Sequence, residues 1–209
     1  MEINLENIEH NVKKIITTYS DYQYYFGVLK ADCYGHDNIQ TVKSIIKGGC
    51  NYLCVATLDE ALEIRKELKE IPILCLGVID KQYIDLCIEK NIVITIPSLN
   101  YIEELDDIDT ANLKVHLKIN TGMNRLGIKD EKDLKKVYKI AKSKKINIEG
   151  IYTHIYEASE AMSNYRKPKD VNGCRLGIIM YGFSNKKELK FYVLLEKEYQ
   201  EFINNSRKY

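Results

Sequence analysis

Residues Asn112–Asn120 read NLKVHLKIN, and this stretch decides the fold. In an extended chain Leu113, Val115, Leu117 and Ile119 share one face, while Lys114, His116, Lys118 and Asn120 share the other. In an open sheet covered by helices on both sides, that second face would meet an apolar layer. In a closed barrel it lines an interior that can hold a polar ligand. The stretch therefore predicts a barrel strand with its polar side inward.

Short apolar runs alternate with charged amphipathic segments on either side of it. Leu5, Ile8, Val12, Ile15 and Ile16 have helical spacing behind Asn4, a residue suited to an N-cap. FGVLK, YLCVAT, IPILCLG, IVITIP, INIEGIYTH and CRLGIIMYG read as further strands. NIQTVKSIIKGG, LDEALEIRKELKE and DEKDLKKVYKIAKSKK read as helices, the first ending at Gly48 and Gly49. Such alternation predicts βαβ units and a parallel sheet. No G-x-G-x-x-G follows the first strand, which weighs against a dinucleotide-binding sheet. The expected fold is α/β, a (β/α)₈-like barrel of TIM type. Such barrels typically need about 250 residues, and the 209 residues here offer seven strand candidates. The barrel is expected to be short of one strand-helix unit.

The 31 basic and 30 acidic side chains leave a net charge of +1, which gives no electrostatic footprint for nucleic acid or an anionic membrane. No apolar run is long enough for a membrane span, and the acidic start MEINLENIEH is unlike a secretory signal. The six cysteines form no C-x-x-C pair and sit mostly in apolar runs. They are expected to be reduced and buried in a cytoplasmic protein, with no metal site.

Four residues at strand ends could carry chemistry together. Lys30 follows the first strand, before the small and polar ADCYGH. Active sites of such barrels lie at this end of the strands. A lysine there, desolvated and near other cations, is available for a Schiff base, and Tyr34 with nearby backbone N–H groups would suit a phosphate. Arg125 lies in the loop after the fifth strand, His154 ends the sixth, and Arg175 is a charge inside an apolar strand that needs a buried or cofactor partner.

MEINLENIEHNV, VLKADCYGH, HLKINTGMNRLG, GIYTH and CRLGIIMYG resemble, in order, the motifs of the bacterial alanine racemases, pyridoxal-phosphate enzymes of fold type III. The resemblance covers about residues 1–182. It implies that Lys30 binds pyridoxal 5′-phosphate covalently and moves the α-proton of alanine on one face. It implies phosphate contacts from Tyr34, Gly177 and Ile178, and a role for Arg125 at the cofactor's phenolic oxygen and the substrate carboxylate. It further implies that Lys118 stands where many members carry a carbamylated lysine, that Arg175 faces the pyridine nitrogen, and that His154 bonds Arg175. The family is homodimeric.

Two departures accompany the resemblance. Between His154 and Arg175, where the family carries a further strand-helix unit with a phosphate-binding serine, the chain has the polar IYEASEAMSNYRKPKDVNG. No counterpart of the family's C-terminal β-domain, source of the tyrosine base for the opposite face, is expected over residues 184–209. The expected organisation is a cofactor-binding barrel over 1–183 and a polar, amphipathic tail over 184–209. Tyr192, Tyr199 and Tyr209 offer hydroxyls there, but nothing marks one as a second base. The alternatives to a racemase are a non-racemising pyridoxal-phosphate-binding barrel and an inactive remnant.

Overall fold

The computed structural model describes residues 3–36, 39–154, 171–181 and 193–194. The helix Leu5–Thr18 begins as expected, with the Asn4 side chain accepting a hydrogen bond from the N–H of Asn7 at 3.0 Å. Ile8 and Val12 are its buried residues, one turn apart on the inner face.

The strands are β1 (Tyr24–Val28), β2 (Tyr52–Val55), β3 (Ile73–Cys75), β4 (Ile92–Ile96), β5 (Lys114–Ile119), β6 (Asn147–Thr153), β7 (Gly173–Leu176) and β8 (Val193–Leu194). They close into a barrel in the order β1-β2-β3-β4-β5-β6-β8-β7. β1 through β6 pair in parallel, each with the next, and β7 pairs in parallel with β1, setting Phe26 beside Arg175. Helices Ile39–Lys47, Leu58–Glu67, Ile84–Glu89, Leu99–Glu103 and Glu131–Ser143 connect the parallel strands. The helix Leu58–Glu67 starts on a capping box formed by Thr57 and Glu60.

The alternation within NLKVHLKIN is realised as predicted. Leu113, Val115 and Leu117 join the large apolar layer between strands and helices. His116 and Lys118 are buried on the other side, where Phe26, Val28, Tyr52, Cys54, Leu74, Val93 and Tyr152 form a second cluster inside the barrel. All six cysteines are buried and free.

One strand breaks its own alternation. Val115 pairs with Ile148 but His116 pairs with Gly150, so Glu149 is an extra residue in β6. Counting by twos from Ile148, which belongs to the outer layer, would send Tyr152 outward as well. The extra residue reverses the phase: Ile151 packs in the outer layer and Tyr152 in the barrel interior.

The tail departs from expectation. Val193 and Leu194, expected to lie beyond the barrel, pair antiparallel with Tyr152 and Ile151 of β6, and Val193 also pairs with Gly173 of β7. Among the described residues the barrel thus has seven parallel strands and one short antiparallel one between β6 and β7. The reason is the strand deficit itself: two sheet edges with unpaired N–H and C=O groups accept any extended segment that reaches them. Residues 155–170, where the family unit was expected to be missing, and Tyr192, Tyr199 and Tyr209 lie outside the described residues.

Candidate active site

A cleft of about 620 Å³, counting space open to solvent, lies at the C-terminal ends of β1, β5, β6 and β7. Lys30, Tyr34, Lys118, Arg125, His154, Arg175 and Gly177 all line it. Ile178, the last residue expected there, follows Gly177 and opens the 3-10 turn Ile178–Tyr181. No carboxylate side chain lines the cleft among the described residues.

Lys30 enters the cleft on an unusual backbone. Ala31, Asp32, Cys33 and Tyr34 all have positive φ, between 52° and 56°, and Gly35 follows at 78°. They form one turn of left-handed helix, which costs L-residues about 1–2 kcal/mol each. The turn is tied at both ends: Leu29 N–H donates to Cys54 O at 2.7 Å, Cys33 N–H to Leu29 O at 2.8 Å, and His36 N–H to Asp32 O at 3.0 Å. The buried Cys33 side chain anchors its middle. Lys30 and Tyr34 thereby share the cleft, with Lys30 Nζ 5.8 Å from the Tyr34 ring centroid. Burial raises the Tyr34 hydroxyl above its ordinary range, and the Arg175 charge opposes that rise. Asp32 and Gly35 are the residues that signal a turn there in the sequence.

Arg175 is the centre of the inner wall. It is 7% exposed, and its Nη2 donates to Thr153 O at 2.9 Å and to His154 Nδ1 at 3.2 Å. A guanidinium can only donate, so His154 Nδ1 accepts and a neutral ring carries its proton on Nε2. Burial first, then the Arg175 charge, pushes His154 down to about 4. The guanidinium also lies 4.9 Å from the Tyr152 ring centroid, and Lys118 Nζ lies 5.6 Å from the same ring.

Lys118 is buried, and its Nζ donates to Ile119 O at 2.7 Å. Burial, then Arg175 and Arg125, lowers its ammonium to about 8. Below it His116 sits among Phe26, Tyr52 and Tyr152, and burial with the Arg175 charge lowers it to about 3. Tyr152, a site residue that sequence reasoning missed, is held by its hydroxyl, which donates to Thr95 Oγ1 at 2.9 Å while Thr95 donates to Cys75 O at 2.7 Å. Its signal was hidden because the extra residue in β6 inverts the simple alternation.

Arg125 sits on the exposed rim of the cleft. Its loop closes on β5 through Asn120 N–H to Ile128 O at 2.9 Å and Ile128 N–H to Lys118 O at 2.8 Å. The Asn120 side chain accepts from the N–H groups of Gly122 and Asn124, at 3.2 and 3.0 Å. Gly127 has φ +122°, and a Cβ there would come within 2.7 Å of Asn120 N and 2.8 Å of the Ile119 carbonyl carbon. Gly127→Ala is therefore expected to cost about 1–3 kcal/mol in urea denaturation and to speed amide exchange at Asn120 and Ile128. A cost within error of zero would show that the loop tolerates the clash.

The family profile described as alanine racemase, N-terminal domain, matches residues 3–170. The chain belongs to the alanine racemase family. It is 36% identical to alanine racemase of Streptococcus suis over 162 residues, 77% of this chain and 44% of that protein. Against alanine racemase 1 of Bacillus subtilis it is 33% identical over 166 residues, 78% of this chain and 43% of that protein. Among solved structures, alanine racemase from E. faecalis superposes with a TM-score of 0.76 at 29% identity, over 88% of this chain and 59% of that one. The Bacillus anthracis alanine racemase with bound L-Ala-P superposes with a TM-score of 0.76 at 26% identity, over 91% of this chain and 62% of that one. This racemase-family chain thus spans less than half the length of those curated relatives, and its match is to their N-terminal barrel.

Proposed function

We propose that this chain is a pyridoxal-phosphate-binding barrel of an amino-acid racemase, with Lys30 taking the cofactor's aldehyde on its amine and serving as base on one face of alanine Cα. The observation that carries the reading is the charge of the cleft. Lys30, Lys118, Arg125 and Arg175 converge on it with no carboxylate in its described lining, a donor set that suits an anionic ligand. The phosphate end also has room. A Cβ on Gly177 would lie 3.6 Å from the Tyr34 hydroxyl, so glycine leaves open the space between that hydroxyl and the backbone. Pyridoxal phosphate, when bound, supplies an electron sink that acidifies the Cα–H of an amino acid.

The chain's residues divide the work. Tyr34, with the backbone at Gly177 and Ile178, would hold the phosphate. Arg175 would lie toward the ring nitrogen, and a guanidinium, which donates hydrogen bonds without surrendering a proton, would leave that nitrogen unprotonated. That would limit the electron sink the cofactor supplies and favour racemisation over transamination. Its bonds to Thr153 and His154 fix it in that place. Arg125 on the rim binds the substrate carboxylate. Lys118, lowered to about 8, keeps a neutral fraction near neutral pH that can take up carbon dioxide as a carbamate. The resulting anion would offset the repulsion between Arg125 and Arg175. The base for the opposite face belongs, by resemblance, to the C-terminal domain of a homodimer partner. No described helix is long and apolar enough to cross a membrane, and a cytoplasmic enzyme acting on a small amino acid is the reading we adopt.

Adding pyridoxal phosphate to the protein should give a visible absorbance band, and borohydride should fix the label on the Lys30 peptide. Lys30→Arg should abolish both. A label confined to surface lysines would reject cofactor binding in the cleft. With labelled solvent, exchange at Cα of both enantiomers of alanine with interconversion supports racemisation. Exchange in one enantiomer alone reduces the proposal to a one-sided base.

A further inference from the structure

We infer that Glu60, a residue outside the cleft lining, is a positioning residue for Lys30: one carboxylate oxygen caps a helix and the other holds the turn that carries the lysine. The inference rests on the reading of Lys30 as the reactive amine. Glu60 is the third residue of the helix Leu58–Glu67, and its Oε2 accepts from the N–H groups of Ala56 at 2.6 Å and Thr57 at 3.2 Å. That is the capping half of its role, returned by Thr57 Oγ1, which accepts from Glu60 N–H at 3.3 Å. A capping box needs only one of the two oxygens. The other, Oε1, reaches the preceding βα loop and accepts from Ala31 N–H at 2.8 Å.

Ala31 is the first of the four left-handed residues and directly follows Lys30. Its N–H belongs to the first turn of a helical segment, where donors have no acceptor within the helix. Glu60 supplies that acceptor from β2's side of the barrel mouth. The turn sits in a costly backbone region, so its geometry persists only while its surroundings over-determine it. Glu60 fastens its entry, and the Cys33-to-Leu29 and His36-to-Asp32 bonds fasten the rest. The direction of Lys30 and the place of Tyr34 four residues on are set together by this tie.

The chemistry requires a carboxylate. Both oxygens accept, from N–H groups on two different loops. A glutamine would satisfy one side and turn its NH₂ against a donor on the other.

The test compares Glu60→Ala, Glu60→Gln and Thr57→Ala in the full chain. Thr57→Ala removes the partner half of the capping box and leaves the Ala31 bond in place. The probe is pyridoxal 5′-phosphate with borohydride, read as the rate of label on the Lys30 peptide relative to surface lysines, alongside amide exchange at Ala31–Tyr34. Both Glu60 variants should slow Lys30 capture about tenfold, because small misplacements of a reacting group carry penalties of that order. They should also speed exchange at Ala31, whereas Thr57→Ala should do neither. Capture at the parent rate in Glu60→Ala overturns the inference, as does an equal loss in Thr57→Ala, which would assign the effect to the helix cap. Absence of Lys30 label in the parent protein rejects the cofactor reading instead. Glu60 is then judged by exchange alone: faster exchange at Ala31–Tyr34 in Glu60→Ala but not Thr57→Ala sustains the positioning role, and equal exchange ends it.

Discussion

Replacing Arg175 by leucine is expected to raise the titration midpoints of His154, His116 and Lys118 together and to cost about 2 kcal/mol of stability. The three groups share one neighbour. The Arg175 charge follows burial among the causes that lower each of them. With the charge gone, burial still holds all three below their ordinary values, so the rise is partial. Two opposing effects set the stability change. Thr153 O and His154 Nδ1, both part-buried, lose the Arg175 donor, and a hydrogen bond to a charged group is worth about 1.5–3 kcal/mol. Against this, Lys118 loses a nearby like charge, a relief of about 1–2 kcal/mol at the effective dielectric of a protein site. The lost bonds win. Histidine titration by NMR and urea denaturation measure the two effects, and Arg175→Lys separates them. Lysine keeps the charge but not the forked bonds, so it should leave the midpoints low while losing stability. An unchanged His154 midpoint in Arg175→Leu would mean that burial alone sets it.

Acid should begin to destabilise the protein near pH 6.5, before its carboxylates start to protonate. His154 and His116 have folded values depressed to about 4 and about 3 from an ordinary 6.5. For a depressed group the unfolded chain binds more protons between the two values, so stability rises with pH across that window. It is therefore fully present above 6.5, falls as pH drops toward 4 through His154, and falls further toward 3 through His116. The enclosed His116 contributes about 5 kcal/mol. The half-buried His154 is worth less, about 1–2 kcal/mol after solvent screening. Together these rival the roughly 5–15 kcal/mol that stabilises a typical domain. Lys118 acts in the alkaline range with the same sign, adding stability as pH rises from about 8 toward its ordinary 10.5. Denaturation midpoints measured across pH check this. His116→Phe should flatten the acid limb between about pH 6.5 and 3, and a limb equally steep in that variant would place the proton uptake elsewhere.

Much of the site was legible because it is written in short-range order. The alternation of NLKVHLKIN puts His116 and Lys118 inside a barrel whatever the neighbouring strands are. The position of Lys30 after β1, of His154 after β6 and of Arg175 in β7 follows from strand ends, and so does their meeting at one mouth. The Asn4 cap is equally local. Alternation, capping and strand ends depend on residues a few places apart, which the sequence lists in order.

Other features depend on partners far along the chain. Tyr152 faces inward because β6 gains a residue against β5, and pairing between strands, not the pattern within one, sets that phase. The left-handed turn at Ala31–Tyr34 is made, apart from Asp32, of residues with no preference for it. Contacts with Cys54 and with Glu60, 29 residues from Ala31, hold it there. Val193 and Leu194 became strand because the edges of β6 and β7 offered unpaired backbone, a property of the closed sheet rather than of those two residues. The sequence by itself determined the barrel, its polar interior and the cluster of cations at its mouth. Only the tertiary structure decided the direction in which Lys30 and Tyr152 point, because direction is fixed by hydrogen bonds between segments that the chain keeps apart.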